Sequence, residues 1–76
     1  MVAIQYVVPQ KNGILEYGLS NGVVRKCDLS PFFSGEAFKE LQDFDEFCKV
    51  KNGKYYLEWE NGADISLDTL EATAIS

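Results

Sequence analysis

Asn-Gly pairs are the feature of this sequence that most restricts its fold. All four asparagines, Asn12, Asn21, Asn52 and Asn61, are followed directly by glycine. Asn-Gly between apolar segments is the strongest short-range signal for a β-hairpin, because both residues accept the positive φ angles of a type I′ turn. Seven residues separate the first two pairs and seven separate the last two, which is close to the usual length of a strand. The spacing therefore predicts two meanders, each ordered strand, turn, strand, turn, strand.

Alternation of apolar and polar residues supports strands on both sides of these pairs. It places Leu15, Tyr17 and Leu19 on one face of the first meander. In the second meander it places Tyr55, Leu57 and Trp59 on one face, opposite Tyr56, Glu58 and Glu60. The extended segments are residues 2–8, 14–19, 23–28, 47–51, 55–60 and a short 63–65, and five is the strand count that we expect for one antiparallel sheet.

Helical signals occupy the segment between the two meanders. Ser30-Pro31 is typical of a helix start, and Asp43 followed by Glu46 is typical of a capping box. Apolar residues at helical spacing, including Leu41, Phe44 and Cys48, indicate two short helices at 36–41 and 44–48. Ser66 would cap a third at 67–72. The sequence predicts a single α+β domain, residues 1–76, with an antiparallel five-stranded sheet built from two hairpin meanders and two or three short helices on one face.

Charge and composition exclude several classes of function. The 76 residues carry 12 acidic and 7 basic side chains, a net charge of −5, and Arg25-Lys26 is the only adjacent basic pair. A phosphate-binding surface needs clustered basic residues, so direct nucleic-acid binding is not expected. The absence of histidine excludes Ser-His-Asp and Cys-His mechanisms. No apolar run approaches the ~18 residues of a membrane span, and residues 1–8 do not resemble a signal peptide. We expect a cytoplasmic protein whose Cys27 and Cys48 are reduced thiols that fill the core.

Carboxylates near the C-terminus are the main candidates for chemistry. Glu58 and Glu60 alternate onto one strand face, as a pair for acid–base catalysis would, but nothing in the sequence suggests that they are buried. Asp64, Ser66 and Asp68 match the start of a calcium loop, but Thr69 and Ile75 stand where that loop needs Gly and Glu. No glycine-rich phosphate loop is present. We therefore expect no catalytic residues, no metal site and no cofactor. Exposed aromatics favour an interface instead, and the candidate binding residues are Tyr56, Glu58, Glu60 and Asp64.

Three segments together resemble a bacterial family catalogued as domain of unknown function 2442. They are the strand and turn at residues 21–31, the paired helical segments at 38–47, and residues 57–70, where Trp59, Asn61-Gly62-Ala63-Asp64 and Asp68-Thr69-Leu70 are the most specific matches. Phe44 and Glu60 stand where proline is common in the family. The resemblance implies a compact α+β domain without an established activity. Members of the family are often encoded beside another small protein and have been suggested to be antitoxin-like partners, so the resemblance implies both for this chain. Some members carry an added helix-turn-helix DNA-binding domain; this sequence ends at Ser76 without that extension, so we do not expect a DNA-binding role.

The residues and the resemblance lead to one functional expectation. We expect a non-catalytic protein-interaction module, the antitoxin-like member of a two-protein bacterial pair, whose partner is a small basic protein encoded nearby. A homodimer is a further expectation, because a core this small gains stability from association. We expect no direct contact with nucleic acid or membrane. The alternative is a small-molecule-binding domain, which requires a concave apolar pocket.

Overall fold

The computed structural model describes residues 2–75 and shows an α+β fold with two separate three-stranded antiparallel sheets. The first sheet has the order β1-β2-β3, with β1 at Ile4–Pro9, β2 at Ile14–Leu19 and β3 at Val24–Asp28. The second has the order β4-β5-β6, with bounds Lys51–Asn52, Tyr56–Glu58 and Asp64–Ser66. The expectation of one five-stranded sheet is therefore wrong.

Hydrogen bonding explains why the two meanders stay apart. The first sheet meets the turn between β4 and β5 at a single residue, Ile4, which donates its N–H to the Lys54 carbonyl over 2.7 Å. Its carbonyl accepts from Asn52 Nδ2 over 2.9 Å. The opposite edge, β3, is covered by the C-terminal segment, where Ala74 bridges Cys27 and Ile75 donates to the Lys26 carbonyl. The C-terminal segment therefore occupies the β3 edge, and the second meander is hydrogen-bonded to β1 at Ile4 rather than along the length of the strand.

Short helices connect and flank the sheets. Within residues 2–75, 3-10 helices lie at Lys11–Gly13, Ser30–Ser34 and Lys39–Gln42. The α-helices of the same part of the chain are α1 at Phe44–Phe47 and α2 at Leu67–Ala72. The predicted caps at their starts are confirmed. The Asp43 carboxylate accepts from the Asp45 N–H over 3.0 Å, and the Ser66 hydroxyl accepts from the Thr69 N–H over 3.3 Å.

The cap of the Ser30–Ser34 helix differs from the sequence interpretation. Leu29, not Ser30, is the residue before the first turn. The Asp28 carboxylate accepts the Ser30 N–H over 2.9 Å, so an aspartate on β3 satisfies the amide that precedes Pro31. Aspartate two residues before an N–H is an ordinary side-chain turn, and it competes well with serine for this role.

Turn positions were predicted correctly, but most turn types were not. At Asn21-Gly22 the Leu19 N–H donates to Val23 O over 2.8 Å, and Gly22, with φ of 89°, donates to Leu19 O over 3.0 Å. This is a three-residue hairpin loop with a glycine bulge, not a two-residue type I′ turn. The asparagine side chain closes the loop by accepting the Val23 N–H. The loop at Asn61-Gly62, which runs from Trp59 to Ala63, has the same three hydrogen bonds at the equivalent positions.

The other two Asn-Gly pairs behave differently from each other. Asn12 and Gly13 both have positive φ, 66° and 79°, inside the tight connection between β1 and β2. At Asn52-Gly53 the left-handed position falls one residue later, on Lys54 with φ of 73°. The Asn52 carboxamide holds this conformation by accepting the Lys54 N–H over 2.8 Å.

One core joins both sheets and the helices. Tyr17 and Leu57 are fully buried, and Trp59 is nearly so. The Trp59 indole donates to the Phe47 carbonyl over 2.9 Å and stacks on the Phe47 ring with centroids 5.9 Å apart. The buried side chains are Ile4, Leu15, Tyr17, Leu19, Cys27, Leu29, Leu41, Phe47, Leu57, Trp59, Ala63, Ile65 and Leu70.

Three expected core residues lie outside it. Tyr55 is 48% exposed, because it belongs to the turn before β5 rather than to the alternating strand. Phe44 is 40% exposed and the Cys48 thiol is also exposed. The 3-10 helix ends at Gln42 and α1 is a separate turn, so the two segments do not share one helical period. Phe47 faces the core in place of the two predicted residues.

Helix α2 is fastened to the first sheet by a polar contact at Glu71. The Tyr17 hydroxyl donates to Glu71 Oε2 over 3.0 Å, and Arg25 Nε lies 2.8 Å from the same oxygen without good hydrogen-bond alignment. Burial, reinforced by the bond to Glu71, raises the pKa of the Tyr17 phenol well above its usual value. Tyr17 therefore remains a neutral donor at any ordinary pH and holds the helix against the sheet.

Candidate functional site

The outer face of the second sheet brings three of the four candidate binding residues together. Leu57 and Ile65 are directly opposite on β5 and β6 and point into the core. Their neighbours therefore point outward, and Glu58 lies opposite Asp64 while Tyr56 lies opposite Ser66. All four are exposed. We call the surface formed by Tyr56, Glu58, Asp64 and Ser66 the acidic face.

Like charges meet at the centre of this face. Directly opposed residues of antiparallel strands have Cβ atoms about 4.5–5.5 Å apart, and two carboxylates at that distance destabilise the pair. Lys51 lies opposite Glu58 on its other side, in β4. Within residues 2–75, neither Glu58 nor Asp64 has a basic nitrogen within 4.0 Å, although the chain forms such ion pairs elsewhere. The fold thus presents two adjacent carboxylates to solvent.

Glu60 is separated from this pair. It lies in the loop after Trp59 and its carboxylate is 3.7 Å from Lys49 Nζ. The same ammonium lies 3.1 Å from Glu46 Oε1, and the hydrogen bond to Glu46 raises the pKa of Lys49. Glu58 and Glu60 are both exposed, and Glu60 has a basic neighbour of its own. The structure therefore does not bring them together as the burial-tuned pair that acid–base catalysis requires.

Tyr56 is the aromatic member of the acidic face. The residue is 43% exposed, and one side of its ring lies against Gly53, where an added Cβ would collide with the ring. Glycine at this position therefore lets the ring lie flat on the turn between β4 and β5. A half-exposed tyrosine held in one orientation is a common anchor in protein interfaces, because little side-chain entropy is lost when it is covered.

Other exposed apolar side chains were missed by the sequence interpretation. Tyr6, Val8 and Val24 lie on the outer face of the first sheet, and Tyr55 lies in a turn. Alternation in the sequence marks two faces of a strand, but it does not tell which face another layer covers. No signal in residues 2–8 distinguishes this uncovered face from a buried one.

Two surface grooves have volumes of about 270 Å³ each. One lies between the Lys11–Gly13 turn and α1, with Phe44 on its wall. The other lies beside Tyr55 at the start of α2, with Leu67 and Asp68 on its wall. Both are slightly smaller than the ~300–1,000 Å³ of typical ligand pockets.

The described residues offer no metal centre. No group of three or more Cys, Asp or Glu side chains between residues 2 and 75 is arranged to hold an ion. Ser66, the central residue of the calcium-like match, uses its hydroxyl to cap α2. Cys27 is buried and Cys48 is exposed, and neither forms a disulfide. Over the same part of the chain, no helix has the length and apolar character needed to cross a membrane.

Comparison with known proteins gives one result. The family described as "Protein of unknown function (DUF2442)" matches residues 4–76, nearly the whole chain. This confirms the resemblance seen in residues 21–31, 38–47 and 57–70. No significant match was found among curated proteins or among solved structures.

Proposed function

The chain belongs to the DUF2442 family of proteins of unknown function, and from that premise we propose that it is a non-catalytic protein-interaction module. The proposed partner is a small basic protein encoded nearby, and the chain would be the antitoxin-like member of that pair. The partner contacts the acidic face. The observation that carries the proposal is the exposed Glu58–Asp64 pair, two carboxylates set side by side across β5 and β6.

Charge is the first argument for a basic partner. The Glu58–Asp64 repulsion costs the free chain up to about 1 kcal/mol. A lysine or arginine of the partner placed between the two carboxylates removes that cost and gains two charge-assisted hydrogen bonds. The net charge of −5 adds a longer-range attraction that speeds association with a basic protein.

Shape is the second argument. Tyr56 lies beside the carboxylate pair, where its exposed ring supplies apolar area for a partner. An aromatic anchor next to charged groups is the usual composition of an interface centre and its rim. Ser66 faces the same side, and its hydroxyl is already engaged with Thr69.

The test is to co-express a tagged form of this chain with the small protein encoded beside it, and to measure whether that protein co-purifies. We expect a complex with the wild type and at least tenfold weaker binding with the double variant Glu58→Gln/Asp64→Asn. Tyr56→Ala should weaken binding as well. The affinity should fall as salt rises from 50 to 500 mM, because exposed charges are screened.

A matched control separates the local pair from net charge. Glu36→Gln/Glu40→Gln also removes two charges, from exposed positions in the helical segment. It should retain the complex. Relief of repulsion predicts that Glu58→Gln/Asp64→Asn is at least as stable as the wild type, so its loss of binding would not reflect unfolding. Absence of any complex with the wild type, or equal loss in both double variants, would contradict the proposal.

Small-molecule binding, the alternative expectation, has weaker support. It would use one of the two grooves, each about 270 Å³. Polar side chains line both grooves, but each groove is smaller than a typical ligand pocket. The interaction module accounts better for where the exposed charged and aromatic side chains lie.

A further inference from the structure

The first sheet has one edge that the fold leaves open, and that edge lies on β1. The other edge, β3, is covered where Ala74 bridges Cys27 and Ile75 binds the Lys26 carbonyl. Among residues 2–75, Ile4 is the only residue of β1 that forms hydrogen bonds with a segment outside the sheet, to Lys54 and Asn52. The open stretch is therefore residues 5–9.

Ladder geometry identifies the groups that remain free on this edge. Gln10 donates its N–H to the Ile14 carbonyl, which closes the hairpin. Hydrogen-bonded and non-bonded pairs alternate along an antiparallel ladder, so Val8 and Tyr6 also bond to β2, whereas Val7 opposite Tyr17 does not. The Val7 N–H and carbonyl point away from the sheet. No backbone or side-chain group within residues 2–75 pairs with them there.

Among the strands in residues 2–75, β1 differs from the others in having no charged side chain. Residues 4–9 read IQYVVP and carry no charge, while each of the other five strands carries at least one. Charged residues on an edge are the usual protection against pairing with another chain. β1 lacks that protection.

We propose that β1 pairs antiparallel with β1 of a second copy of this chain, with the two-fold axis at Val7. Val7 then exchanges two backbone hydrogen bonds with Val7 of the second copy. Tyr6 faces Val8 of the second copy on the outer surface, an aromatic and β-branched cross-strand pair. Both side chains are solvent-exposed in the single chain, Val8 at 42%. The dimer contains one continuous six-stranded sheet.

Two features of the edge limit assembly to a dimer. Pro9 has no N–H, and a bulge lies between Ile4 and Tyr6, so the pairing extends over only a few residues. In the dimer, the outer edges of the joined sheet are the two β3 strands, which the C-terminal segments cover, so further copies cannot add there. A short interface of this kind is expected to be weak, with a dissociation constant in the micromolar range or above.

The experiment is sedimentation velocity of the full chain from 5 µM to 1 mM, with a Val7→Pro variant and a Val7→Ala control. The Val7 side chain packs against the core, so both variants change packing. Of the backbone hydrogen-bonding groups, proline removes only the N–H used between copies, which is not part of the β1–β2 ladder. Alanine removes a larger part of the side chain and keeps the N–H. We expect the wild type and Val7→Ala to dimerise with similar affinity, and Val7→Pro to bind at least tenfold more weakly.

Amide exchange of the unaltered protein provides a readout that does not depend on the variant folding. The Val7 N–H should exchange with solvent at 20 µM and become protected at 1 mM, while the Val8 N–H is protected at both concentrations. A monomer at 1 mM with an unprotected Val7 amide would overturn the proposal. So would a dimer in which Val7→Pro binds as tightly as the wild type, because its interface would lie elsewhere. The acidic face is on the other sheet, so this result is independent of the proposed function.

Discussion

Replacing Trp59 tests how the second sheet is joined to the helical segment. Trp59 is 3% exposed, donates to the Phe47 carbonyl over 2.9 Å and contacts the Phe47 and Phe38 rings, each with centroids 5.9 Å away. In Trp59→Phe the carbonyl loses its donor, which costs about 1–3 kcal/mol. If roughly 40 Å³ of the indole volume stays empty, the cavity adds about 1 kcal/mol. The expected loss is about 2–4 kcal/mol.

The loss is large against the stability of a domain this small. At ~0.05–0.15 kcal/mol per residue, 76 residues give about 4–11 kcal/mol. Urea unfolding followed by far-UV circular dichroism is the assay, because the signal does not depend on tryptophan. With a slope of about 1 kcal/mol/M, the midpoint should fall by ~2–4 M. Tyr55→Phe, a change of an exposed aromatic in the same region, should shift it by less than ~0.5 M.

An isosteric analogue separates the hydrogen bond from the ring volume. Benzothienylalanine at position 59, introduced by chemical synthesis, keeps the bicyclic shape and lacks the N–H. It should retain the stack and lose only the about 1–3 kcal/mol of the unpaired carbonyl. A midpoint equal to that of the wild type would refute the role of the bond to Phe47. A Trp59→Phe midpoint within the range of the Tyr55→Phe control would refute the whole argument.

Three further changes test the turns, the first sheet and the buried thiol. Gly18→Ala places a methyl group where the Tyr6 ring lies, and should lower the free energy of unfolding in urea by about 1–3 kcal/mol. The double variant Tyr6→Ser/Gly18→Ala should recover most of that loss, because the clash is removed. Lys54→Gly relieves the positive φ of 73° and should stabilise by about 1 kcal/mol, whereas Lys51→Gly in β4 should destabilise; thermal melts compare them. Burial raises the pKa of Cys27 from 9.0 to about 11, so its stabilising contribution is complete below pH 9 and is lost between pH 9 and 11. The midpoint temperature of Cys27→Ala should be lower at pH 7 and less dependent on pH across that interval.

Local sequence signals predicted the positions of the turns and helix caps in this fold well. Asn-Gly pairs marked the positions of all four connections, because the preference of Asn and Gly for turns is a property of the residues themselves. The caps at Asp43 and Ser66 were predicted for the same reason. The type of turn was harder to predict from the sequence. The same Asn-Gly pair fits a two-residue loop or a three-residue loop, and its position in the loop differs by one residue between the two. Gly22 and Gly62 take positive φ while the asparagine before each does not.

Long-range pairing was not predictable from these signals. Whether two meanders share hydrogen bonds depends on which edges meet in space, and β3 is covered by residues nearly 50 positions away. The same limit applies to the candidate site. Alternation predicts Tyr56, Glu58 and Glu60 on one face, and the structure keeps Tyr56 and Glu58 there while Glu60 lies in the loop beside Lys49. The direct Glu58–Asp64 opposition follows from the β5–β6 register, which the loop type sets.

The two proposed surfaces lie on different sheets, and this separation has a consequence for binding. Pairing through β1 leaves both copies of the acidic face exposed, because Glu58 and Asp64 belong to β5 and β6. A dimer then presents two acidic faces related by the two-fold axis. If the basic partner is itself a dimer, the second contact becomes intramolecular and the apparent affinity rises without any new contact. Val7→Pro would then weaken partner binding while leaving the acidic face intact, whereas Glu58→Gln/Asp64→Asn would weaken it while leaving the dimer intact. A monomeric partner would respond to the second change and not to the first.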